Sequence, residues 1–92
     1  MVVFLFINIM FYIYIIKSRQ TGQFYIGQTN NLTDRILRHQ SNRNRWTKGK
    51  GPWELLFSMS FATRKEAMAM EKKLKSWKNP EFLIRWIEEQ GT

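Results

Sequence analysis

FYIGQTNNLTDRILRHQ, residues 24–40, changes character halfway along. Its opening alternates an apolar side chain with a tyrosine or glycine, the period-two pattern of a strand with two different faces. Thr29, Asn30 and Asn31 then offer side-chain oxygens of the kind that cap the first amides of a helix. Leu32 and Ile36 follow one turn apart as an apolar stripe. The spacing predicts a strand over 23–28 and a helix over about 32–40. Two features ask for a further reason. The strand runs through Tyr25-Ile26-Gly27, and Arg35 and His39 stand four apart on one flank of the stripe, toward whatever the helix packs on.

Upstream lies a second run of the same kind, residues 11–17, joined through SRQTG, whose Gly22 suits a tight connection. Alternation puts Phe11, Ile13 and Ile15 on one face and Tyr12 and Tyr14 on the other. In the partner run Phe24 and Ile26 oppose Tyr25 and Gly27. One face is thus aliphatic and phenyl, and the other carries phenol hydroxyls. Taken alone, that describes tyrosines covering a half-exposed surface.

Downstream, residues 41–52 (SNRNRWTKGKGP) read as a polar, basic loop. Trp53, Leu55, Phe57, Met59 and Phe61 alternate with Glu54, Leu56, Ser58 and Ser60, which predicts a third strand with one core face. Thr63-Arg64-Lys65-Glu66 is a capping box, opening a helix to about Trp77 with Ala67, Met70, Leu74 and Trp77 as its buried stripe. Glu71 lies at the edge of that stripe, where its ordinary role is a solvated pair with Lys75. Asn79-Pro80 starts a last helix, with Gly91 past its end and Phe82, Leu83, Trp86 and Ile87 facing inward. The expected fold is α/β of the α+β kind: a small three-stranded antiparallel sheet flanked by about three helices. Residues 11–92 make one domain, and residues 1–10 are an apolar N-terminal extension or the start of the first strand.

That N-terminus, MVVFLFINIMFYIYII, has no charge over 16 residues. A membrane helix needs about 20 apolar residues, and Val, Ile, Phe and Tyr favour a strand instead. It lacks the basic start and small-residue cleavage site of a secretory signal. Met10 is a second candidate start, leaving residues 1–9 upstream of the domain. The chain's 15 Lys and Arg against 7 Asp and Glu give a net charge of +8, which points to a polyanionic partner. The excess is local, for between Lys17 and Lys50 the only acid is Asp34. With no cysteine, disulfides and thiolate metal sites are excluded.

Tyr12-Ile13-Tyr14, Tyr25-Ile26-Gly27, Asn31-Leu32 leading to Arg35 and His39, Lys48-Gly49-Lys50-Gly51-Pro52-Trp53, Glu66-Ala67 with Glu71, and Leu74-Lys75-Ser76-Trp77 occur in that order. In this order the sequence resembles the GIY-YIG nuclease family, in particular its small stand-alone bacterial branch. It is more distantly similar to the N-terminal nuclease domain of the excision-repair incision subunit. The resemblance spans roughly residues 11–87. Position by position it implies that Tyr14 and Tyr25 are the tyrosines of the two triplets and that Arg35 is the helix arginine. It makes His39 the tyrosine-or-histidine one turn later, and Glu71 the sole protein ligand of one Mg²⁺ or Mn²⁺. Three departures stand out: Tyr12 replaces the first triplet's glycine, Gln28 follows the second triplet where a basic residue is common, and the downstream asparagine has no secure counterpart.

The resemblance implies a cytoplasmic, metal-dependent endonuclease acting on DNA, in repair or processing, with no small-molecule cofactor. Such hydrolysis needs an activated water and a clamp on charge at phosphorus. Arg35 suits the clamp, and Tyr14, with His39, suits the base if the phenol's pKa of about 10 is brought down. Tyr25 would orient water or phosphate. Arg38, Arg43, Arg45, Lys48 and Lys50 would track the backbone, and Trp46 would stack on an unpaired base. Without a base-reading module, selection by DNA shape is expected. The rivals are a catalytically silent nucleic-acid-binding module of the same fold and a membrane-tethered variant.

Overall fold

The structure is a computed structural model that describes residues 9–91. Most of the apolar extension, residues 1–8, lies outside the described residues. The elements run β1 (Phe11–Ser18), β2 (Phe24–Thr29), α1 (Leu32–Gln40), β3 (Trp53–Phe61), α2 (Arg64–Trp77) and α3 (Pro80–Gln90). No helix among the described residues is long and apolar enough to cross a membrane.

The sheet is antiparallel throughout, in the order β2-β1-β3. Its central strand buries Ile13, Tyr14, Ile15 and Ile16 completely, because both faces are covered. On one face Ile13 and Ile15 meet Ala67 and Leu74 of α2 and Leu83 of α3. On the other, Tyr14 and Ile16 pack with Trp53, and Leu32 and Ile36 of α1 close over them. The α+β expectation holds, arranged as three layers.

The helix starts follow the capping chemistry. Asn31 Oδ1 accepts the Asp34 amide at 3.0 Å, Thr63 Oγ1 accepts that of Glu66 at 3.2 Å, and Asn79 Oδ1 accepts those of Glu81 and Phe82. One expectation needs correction. Residues 53–61 do not keep a single core face, because β1 pairs Ile15 with Phe57 but Ile16 with Leu55. Leu56 is the extra residue of a bulge, and it reverses the alternation. Phe57, Met59 and Phe61 stay with the α2–α3 layer, whereas Trp53 turns to the opposite face and joins Tyr14.

Candidate active site

Tyr14 and Gly27 are cross-strand partners on β1 and the edge strand β2. A Cβ on Gly27 would fall on the Tyr14 hydroxyl and Cζ, and 2.9 Å from Cε1. The glycine therefore serves close approach rather than an unusual backbone angle: the phenol lies across β2 and carries its hydroxyl toward the sheet's open edge. Gly27→Ala should displace the ring or strain the pairing, costing about 1–3 kcal/mol. Denaturant melts check this, and an unshifted midpoint would show that the ring has room elsewhere.

The Tyr14 hydroxyl is 2.8 Å from His39 Nε2, and His39 Nδ1 is 2.7 Å from Thr47 Oγ1. All three residues are fully buried. The Tyr25 ring closes the cluster, its centroid 4.9 Å from that of His39. Burial pushes the Tyr14 pKa well above its usual value; the neighbouring Tyr25 adds to this, and the Arg35 guanidinium partly offsets it. Burial, then Arg35, lowers His39 to about 4. At neutral pH the pair is an uncharged phenol against an uncharged imidazole.

The low His39 value has a stability consequence. Between pH 6.5 and about 4 the unfolded chain takes up a proton that the folded imidazole refuses. This contribution is complete above pH 6.5 and is lost on acidification, by up to about 1.4 kcal/mol per pH unit. Urea midpoints at pH 7 and pH 5 should fall further for wild type than for His39→Gln. Equal falls would mean that His39 titrates normally.

Arg35, from the second turn of α1, acts electrostatically on both Tyr14 and His39. Its Nε is buried and has no hydrogen-bond partner in the protein. Glu71 comes from α2, in the layer across the sheet, yet its charge also reaches Tyr14. Its side chain is 23% exposed and meets Lys75 Nζ at 3.5 Å. The edge of β2 thus gathers Tyr14, Tyr25, Arg35 and His39, with Glu71 in electrostatic range.

The sequence model described as the GIY-YIG catalytic domain matches residues 10–84. The chain belongs to the GIY-YIG family. Among its relatives is a UPF0213 protein of Bacillus pumilus, 37% identical over 67 residues that cover 72% of this chain and 67% of the relative. Another, from Staphylococcus haemolyticus, is 31% identical over 80 residues covering 86% and 95%. The fold is similar to the solution structure of the UPF0213 protein BH0048 from Bacillus halodurans, with a TM-score of 0.57, 28% identity, and coverage of 89% and 86%. GIY-YIG membership makes this an endonuclease-type domain.

The basic side chains expected at the interface separate into two groups. Arg38 Nε is held by Asp34 at 3.1 Å, and Arg43 Nε donates to Ser41 Oγ at 2.9 Å. Arg45 lies over the ring of Trp46, which is 68% exposed. Trp46 and Lys50 border the same hollow as Tyr25, and Lys48 is exposed.

Sequence reasoning missed the residues that fix this loop. Besides orienting His39, Thr47 accepts Trp53 Nε1–H on its carbonyl at 3.3 Å. Ser18 Oγ donates to the Lys50 carbonyl, and Gln40 exchanges two hydrogen bonds with the Trp53 backbone. No signal in the sequence set Thr47 apart from the loop's other uncharged polar residues, Ser41, Asn42 and Asn44. Gln28, where a basic residue was missing, accepts from Arg64 Nη1 at 3.1 Å.

No group of three or more His, Cys, Asp or Glu side chains able to hold a metal occurs among the described residues. The carboxylate in electrostatic range of Tyr14 is Glu71, and a lone carboxylate of this kind would suit a hard cation that keeps most of its waters.

Proposed function

We propose that residues 11–92 form a metal-dependent endonuclease that hydrolyses DNA phosphodiester bonds. It selects targets by DNA structure rather than sequence, in repair or processing. The observation that carries this reading is the buried, unpartnered Nε of Arg35, acting on Tyr14 and His39. A buried guanidinium whose Nε–H has no acceptor keeps that donor for an anion yet to arrive, and phosphate suits its fork. Glu71 would hold one Mg²⁺ or Mn²⁺, which when bound would act as Lewis acid on the phosphate and favour departure of the 3′ oxygen.

The buried phenol sets the proton path. Free phenolate is inaccessible at neutral pH, so Tyr14 Oη takes a proton from the attacking water while passing its own to His39 Nε2. The transfer requires the tautomer in which Nδ1–H donates to Thr47 Oγ1, 2.7 Å away, leaving Nε2 to accept from Tyr14. Arg35 discourages the imidazolium in the free protein, and a phosphate anion on Arg35 cancels that penalty. Substrate binding thereby raises the basicity of His39 when the proton must move. Tyr25 orients water or phosphate through its hydroxyl.

The test is cleavage of end-labelled flapped, branched, single-stranded and blunt duplex DNAs with Mg²⁺, Mn²⁺ or chelator. Metal-dependent cutting of a subset is expected. Binding without cutting of any substrate would return the silent-module reading.

A further inference from the structure

Beside the cluster lies an open groove of about 680 Å³, bounded by the β1–β2 turn, β2, the loop at Trp46 and Lys50, and the α2–α3 junction. Among the described residues it is lined by three cations, Lys50, Lys75 and Lys78, and by no carboxylate. Aromatic rings line it as well, Tyr25 and Trp46 among them. We propose that this groove binds single-stranded nucleic acid, with phosphates on the lysines and unpaired bases against Trp46 and Tyr25. Cations combined with aromatic rings, Trp46 exposed and Tyr25 half-buried, form the kind of surface that single strands use, because every base has a π-face to stack. A duplex keeps its bases stacked on one another and offers these rings no free π-face along its length.

Two further observations place and support the occupant. Tyr25 and Lys75 belong to the groove and the cluster at once, since Tyr25 packs on His39 and Lys75 pairs with Glu71. A strand lying in the groove therefore passes beside His39 and Glu71. Lys78 caps α2 in the left-handed conformation, at φ 51°, where glycine or asparagine is the favoured residue. A lysine there adds strain to the helix end but brings an ammonium to the groove wall. The position of the cut beside the bound strand rests on the nuclease reading; the binding itself does not.

The experiment follows anisotropy of a short 5′-labelled oligothymidine and of a labelled blunt duplex, in chelator, on the full chain. Trp46→Ala should weaken oligothymidine binding roughly five- to a hundredfold. Lys78→Gly should flatten its log–log salt slope by about 0.7, with thermal stability unchanged or raised because glycine suits the left-handed cap. Both variants should spare the duplex, and Lys73→Ala, on α2 outside the groove, should spare both probes. Unchanged oligothymidine binding in Trp46→Ala and Lys78→Gly, an equal loss on the duplex, or an equal loss with Lys73→Ala would overturn the proposal. No cleavage is read, so such a failure leaves the nuclease reading standing. Strand binding by a chain that cuts nothing would do the reverse.

Discussion

Arg35→Ala should lower single-turnover cleavage by roughly 10² or more, since charge stabilisation in the transition state is usually the largest catalytic contribution. The fold should survive. The lost guanidinium has a buried Nε without a partner, so its removal relieves an uncompensated polar group, and the melting temperature should hold or rise. The pH dependence should move too. Arg35 helps to lower His39 and partly offsets the burial that raises Tyr14, so without it both groups shift upward. Any acid limb set by His39 in the free protein should therefore lie at higher pH. Arg35→Lys keeps the charge and loses the planar fork, and should recover only part of the rate. Wild-type cleavage by a folded Arg35→Ala protein would remove the clamp from the proposed mechanism.

Local chemistry made most of the fold legible. The helix expected over 32–40 is Leu32–Gln40, and the capping box at Thr63 opens Arg64–Trp77. Caps and periodicity act within a turn or two, so a window of sequence contains their causes. The Leu56 bulge escaped because it is a property of pairing with β1. Strict alternation over 53–61 looked like one buried face, and only the partner strand reveals that Trp53 changes sides. Gly27 was visible as a glycine, but its reason, a tyrosine ring from the neighbouring strand, was not. Thr47 is harder still. Its buried place depends on loop contacts with Trp53 and on Ser18 and Gln40 holding the segment's end, three separate parts of the chain. Arg35 and His39 were placed correctly toward the sheet by their position beside Leu32 and Ile36, and the resemblance supplied their proposed roles.

Glu71→Gln separates two accounts of the same side chain by the sign of the effect. As a surface carboxylate paired with Lys75, Glu71 contributes only tenths of a kcal/mol, and losing it should barely change the fold. Its charge is one of the influences that raise Tyr14, after burial and Tyr25, so its removal should make the phenol slightly easier to ionise. On that account cleavage stays level or improves a little. As the sole protein ligand of the cation, the same carboxylate is needed for the metal to stay, and cleavage should fall by orders of magnitude, with excess Mg²⁺ restoring only part. DNA binding in chelator should persist or tighten, because a negative charge leaves the edge of a basic site and Lys75 loses its partner. The loss would thus fall on metal-dependent turnover while stability and metal-free affinity hold, a combination that misfolding cannot produce. The measurement is a Mg²⁺ titration of cleavage for both proteins, alongside their melting curves and their affinity in chelator. Superimposed titrations would make Glu71 a helix-surface residue and leave the proposed hydrolysis without its metal ligand.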